Sequence, residues 1–198
     1  MKAVVCATGG VHASGFCIGH AIIYYYTMRP CGEVSQRHIL LKLRIGVVKM
    51  EPAARAFVVD SWDRAWTEGL WAAAWSKSVE GLTPAQAAWS PGPGRNSIWQ
   101  IVLHMCFWRE YALSRAEGGA TKSDEEIARN NFPAIKDASE AAWAATRSRF
   151  EHTQKQIAAG LRNSDPSFDR LTGLLGHDSY HIGQINTLRA LQGLKAIE

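Results

Sequence analysis

The chain has 198 residues, 46% of them hydrophobic and 20% charged, a composition that fits one globular domain with a buried core and excludes a disordered chain. No apolar run reaches the roughly 18 residues of a membrane span; the nearest, from Gly15 to Tyr26, is shorter and carries His20. The net charge of +4 is unevenly placed: residues 1–49 hold six Lys or Arg against one acid, and residues 50–198 hold sixteen against seventeen, so the basic excess lies in the first quarter.

That first quarter differs in other ways. It contains three of the four cysteines and none of the eight tryptophans, and Met50-Glu51-Pro52-Ala53 reads naturally as a chain start. Residues 1–49 are therefore expected to be an N-terminal extension that contributes little to the fold, one origin being translation from upstream of a native start. Its charges are scattered among apolar residues rather than clustered, which argues against a nucleic-acid arm. Lys2 leads into a Gly-rich stretch instead of an apolar core with a cleavage site, so a signal peptide fits badly and a cytoplasmic location is expected. In that setting the four cysteines read as free thiols. The glycines of ATGGVHASGFCIG do not make a GxGxxG turn, and Cys6, His12, Cys17, His20 and Cys31 have no CxxC or HxxxH spacing to anchor a zinc site.

After Met50 four helical patterns follow in order. Phe57 to about Val79 is rich in helix formers and tryptophan and stops before Gly81-Leu82-Thr83-Pro84. SPGPGRNS, residues 90–97, is a loop, and Asn96 or Ser97 suits the N-cap of a second helix. Its stripe is Ile98, Ile101, Val102, Met105, Trp108 and Ala112, running to about Glu117. Residues 118–133 are polar, led by Gly and closed by Pro, and read as a long connection with room for one helical turn. Trp143, Phe150, Ile157 and Leu161 mark a third helix. Asp165-Pro166 reads as N-cap and N1 of the last one, with the stripe Leu171, Leu174, Leu175, Ile182, Ile185 and Leu188, and Gly193 past its end. Four amphipathic helices with no strand pattern between them predict an all-α four-helix bundle over residues 50–198.

Two histidines in the last helix, His177 and His181, stand four residues apart in GHDSYHIGQ. On a helix that spacing puts both rings on one face about 6 Å apart, within reach of one ion. At about 100° per residue they lie at the edge of the Leu/Ile stripe, and His104 lies at the matching edge of the second helix beside Trp108. His152, by contrast, falls on the solvent side of its helix. Each of the three edge histidines could equally be a satisfied boundary residue. Asp178 sits nearer the middle of the apolar stripe than either neighbouring histidine, and a buried carboxylate must be paired. Its candidate roles are orienting an imidazole, supporting a metal directly, or a structural bond to an Arg, Trp or Tyr. Gln184, one turn beyond His181, is a candidate for touching bound ligand or for a structural hydrogen bond. Cys106 is about 200° from His104 and reads as packing, and Trp62, Trp66, Trp71, Trp75, Trp99 and Trp108 read as core and interface.

The phrases EGLTPAQAAWSPGPGRNSIWQIVLHMCFWREYALSRAEG (80–118) and LLGHDSYHIGQINTLRALQG (174–193) give residues 58–198 a resemblance to the DinB-like superfamily of metal-binding four-helix bundles, related to bacillithiol and mycothiol S-transferases and mycothiol-dependent isomerases. The resemblance implies that His104, His177 and His181 hold one divalent transition metal: zinc, nickel, manganese or iron. It implies a metalloenzyme that transfers a low-molecular-weight thiol to a small electrophile; a metal-dependent hydrolase and a non-catalytic metal-containing module for ligand binding or dimerisation are the alternatives. A homodimer is the implied assembly. The absence of a Glu beside HxxxH separates the chain from HExxH peptidases. No nucleic-acid or membrane partner is expected.

Overall fold

The computed structural model describes residues 49–195 and 197. The expectations about the N-terminal extension and its cysteines and histidines lie outside the described residues. Among the described residues, seven α-helices and one 3₁₀ segment make up the order α1 (Pro52–Thr67), α2 (Trp75–Ser78), α3 (Pro84–Ala88), α4 (Ile98–Ala116), α5 (Asp124–Asn131), α6 (Glu140–Arg162), 3₁₀ (Pro166–Thr172) and α7 (Gly173–Leu191). There is no strand among the described residues, and no helix there is long and apolar enough to cross a membrane.

The four long helices close a ring: α1 packs on α6, α6 on α4, α4 on α7, and α7 on α1. α4 and α1 are therefore diagonal, and the chain crosses the bundle through α2 and α3 between them. α4 begins at a capping box in which Ser97 Oγ accepts from the Gln100 amide (3.2 Å) and Gln100 Oε1 accepts from the Ser97 amide (3.1 Å). Ser139 caps α6 by accepting from the Ala142 amide.

Three expected boundaries move. The first helix starts earlier, because Pro52 fills its first turn where a missing N–H costs nothing, and ends at Thr67 rather than near Val79. Gly69 ends it: its φ is +78°, and a Cβ there would lie 2.0 Å from the Ala72 carbonyl oxygen. Asp165 caps as expected, accepting from the Ser167 amide, but what it starts is a 3₁₀ segment, and α7 begins only at Gly173. The 118–133 connection holds α5, two turns long, capped by Ser123 and with Asp124, Glu125 and Glu126 in its first turn.

The core is aromatic. Trp62, Trp143 and Phe150 are fully buried, and each buried indole N–H is satisfied: Trp62 by the Gln154 carbonyl (3.3 Å), Trp99 by Thr146 Oγ1 (2.8 Å), Trp143 by the Leu82 carbonyl (2.9 Å). Trp71 departs from the core-and-interface expectation by being fully exposed, on the loop that Gly69 opens. Cys106 is buried, and burial pushes its thiol up to about 11, consistent with packing. His152 is exposed, as its helix face requires.

Candidate metal centre

The apolar stripes of α4 and α7 that bury the core also set the angular position of everything beside them. They carry His104 to one side of the α4–α7 seam and His177 and His181 to the other, and the three rings meet there. One ligand nitrogen from each lies within 4.8 Å of the others, and His104 Nε2 is 3.1 Å from His177 Nε2. His104 and His181 are buried and His177 is half-buried.

The remaining nitrogens fix the protonation of the cluster. His104 Nδ1 is 3.0 Å from the backbone oxygen of Asn131, His177 Nδ1 is 2.7 Å from Asp178 Oδ1, and His181 Nδ1 is 2.7 Å from Gln184 Oε1. Carbonyl, carboxylate and amide oxygens only accept, so each Nδ1 carries the proton and each Nε2 of a neutral ring presents a lone pair. Two such lone pairs 3.1 Å apart cannot hydrogen-bond to each other. For His104 and His181 protonation is disfavoured: burial, then the His181 and His177 charges, push His104 down to about 4, and burial followed by the His177 charge lowers His181. Ligands about 2.1 Å from one cation stand roughly 3.0–3.5 Å apart, the separation seen between His104 and His177. The donor set therefore fits a divalent metal with three neutral imidazoles and positions left open.

Each ring is held differently. Asn131 ends α5; besides its backbone oxygen on His104, its Oδ1 accepts from Trp108 Nε1 at 2.8 Å, and the Phe132 ring stacks on His104 with centroids 4.1 Å apart. The polar 118–133 connection thus walls one side of the cluster. Gln184 Nε2 donates to the hydroxyl of the exposed Tyr180 at 3.0 Å while its Oε1 holds His181, so the structure gives Gln184 a contact with a histidine. Asp178 is fully buried and used on both oxygens: Oδ1 accepts from His177, and Oδ2 accepts from Arg109 Nε at 2.6 Å. It contacts a histidine, as one of its expected roles required, and also makes the structural bond to an Arg.

Arg109, Asn131 and Phe132 were not among the candidates. Arg109 had a legible signal: it lies four residues after Met105 and seven after Val102, in the middle of the α4 stripe, so it and mid-stripe Asp178 are two opposite buried charges that need each other. Asn131 and Phe132 had none, because a polar loop segment reveals nothing of what it folds back against.

A helical bundle presenting a three-histidine donor set between two of its long helices is the class defined by fold and site. The family model of the DinB superfamily matches residues 62–185, and the chain belongs to that superfamily. No curated protein and no solved structure matches it.

Proposed function

We propose that His104, His177 and His181 hold one divalent transition-metal ion and that the protein is an enzyme transferring a low-molecular-weight thiol to a small electrophile. The observation that carries the metal reading is the convergence of three Nε2 lone pairs whose Nδ1 protons are each held by an oxygen. A bound ion would lower the pKa of a coordinated thiol, making it thiolate at neutral pH. The chain's own residues then hold each Nδ1–H, aim the three rings, and exclude water on the side closed by Phe132. Asp178, the acid that touches the cluster, is fully buried with both oxygens engaged, so its role is to hold a ring rather than to take a proton from a bound group.

Metal analysis of the protein beside His104→Ala, His177→Ala and His181→Ala tests the centre: each variant is expected to lose the ion, and full retention by all three refutes it. Incubation of metal-loaded protein with a panel of low-molecular-weight thiols and an electrophile tests the reaction. Turnover above that of the triple variant is expected, and equal rates would leave a binding module. Zinc, nickel, manganese and iron are the candidate ions, separated by activity on reconstitution. We further infer a cytoplasmic homodimer acting on a small molecule, without nucleic-acid or membrane partners; a monomer in sedimentation would remove the dimer.

A further inference from the structure

Arg109 is the largest charged side chain in the core and is 0% exposed. Its contacts come from four other helices, α1, α2, α6 and α7. Nε donates to Asp178 on α7, Nη1 donates to the Phe150 carbonyl at 3.1 Å and to Thr153 Oγ1 at 3.2 Å on α6, and its guanidinium carbon lies 4.4 Å from the Phe150 ring centroid, 5.2 Å from that of Trp62 and 5.7 Å from that of Trp75. Nη2 has no oxygen partner; the guanidinium lies among those aromatic rings, where a cation is attracted to ring quadrupoles.

That environment is costly for a charge used only as filler, since an apolar side chain of similar volume would pack as well. Its one ionic contact is Asp178 Oδ2, and the other oxygen of the same carboxylate holds His177. The guanidinium fork is rigid, so anchoring Nη1 on α6 aims the Nε–H that holds the carboxylate on α7 and, through it, the His177 ring. The other two histidines have no such chain: His104 is held by a backbone carbonyl and His181 by a half-buried amide.

We infer that Arg109 is a positioning residue for the metal centre: with Asp178 it forms a buried charge relay, Arg109–Asp178–His177, that fixes His177 as the Nδ1–H tautomer and makes it the strongest donor of the three. The inference rests on the three-histidine metal reading. Carboxylates behind metal-bound histidines typically alter affinity 10–100-fold, so the relay predicts unequal histidines in a site whose ligands look equivalent in sequence.

The test is Zn(II) titration of the full chain as wild type and as Arg109→Met/Asp178→Asn, which removes both charges together and retains an oxygen for His177. The double variant is expected to melt cooperatively yet bind Zn(II) about 10–100-fold more weakly. Wild-type binding with an unchanged double variant overturns the relay alone, whereas no binding by wild type overturns the metal reading and the relay with it. If the double variant does not fold, long-range ¹H–¹⁵N spectra of metal-free wild type and Thr153→Val decide. His177 is expected as the Nδ1–H tautomer, its proton moving when the Thr153 anchor is lost while those of His104 and His181 stay. An Nε2–H tautomer, or an unmoved His177 proton, overturns the inference.

Discussion

His177 and His181 stand one turn apart on α7, and their Nδ1 protons end in opposite surroundings. The proton of His177 meets a carboxylate that is fully buried and ion-paired to Arg109; that of His181 meets Gln184, whose own partner is the exposed Tyr180 hydroxyl. His104, across the seam, is intermediate: its ring is buried, but its support is the end of α5, a helix with no buried side chain. One cluster thus has an inner flank built into the core and an outer flank resting on surface groups. The inner flank moves only with the bundle. The outer flank can rearrange locally, because few apolar contacts oppose local opening there.

Breaking the inner flank should have the largest effect. Asp178→Ala strands the Arg109 charge in the core and is expected to cost about 3–5 kcal/mol, measured by denaturant unfolding of the metal-free protein. A loss under about 1 kcal/mol would mean that Arg109 finds another partner and that the two flanks are equivalent. On the intermediate wall, Phe132→Ala removes the ring stacked on His104 and is expected to cost about 1–2 kcal/mol and to quicken amide exchange in α5, while leaving α7 protected. Gln184→Ala probes the outer flank: about 1 kcal/mol or less in stability, because water can replace the amide, with only a several-fold change in metal affinity. A Gln184 effect as large as that of Asp178 would erase the comparison.

The pH dependence of the metal-free protein sharpens it further. His104 and His181 are held below their ordinary value of 6.5, His104 to about 4, so the native state binds fewer protons there than the unfolded chain does. Their contribution to stability is therefore flat above about pH 6.5 and is lost progressively as pH falls from there towards about 4. Melting temperature against pH should show that fall, and His104→Phe, a ring of similar size that cannot charge, should make it shallower. An unchanged slope in His104→Phe would place the titrating groups elsewhere. The smallest effect is expected far from the seam. Glu110→Gln on the half-exposed Arg149 pair, with contacts of 2.6 and 2.7 Å, should cost under about 1 kcal/mol and leave metal binding alone.

Periodicity and capping chemistry sufficed for the bundle, for the Ser97 and Asp165 caps and for the edge positions of His104, His177 and His181, because those properties belong to one helix at a time. The helix expected from Phe57 to about Val79 stops instead at Thr67, before Gly69, for the complementary reason. The left-handed φ of Gly69 and the close approach of the Ala72 carbonyl are set by a loop that must turn the chain across the bundle, so helix formers on both sides of it gave a continuous pattern. The placement of Asp178 and Arg109 in two apolar stripes announced buried charges, yet pairing depends on α4 lying against α7 with α6 behind, which no single stripe specifies. Tertiary packing also decided which nitrogen of each histidine is free. The Nδ1 partners come from a backbone carbonyl 27 residues away, from the adjacent carboxylate and from an amide one turn on. Sequence pattern alone places three imidazoles at the edges of two helices. Only the acceptors brought by the fold turn all three lone pairs inward.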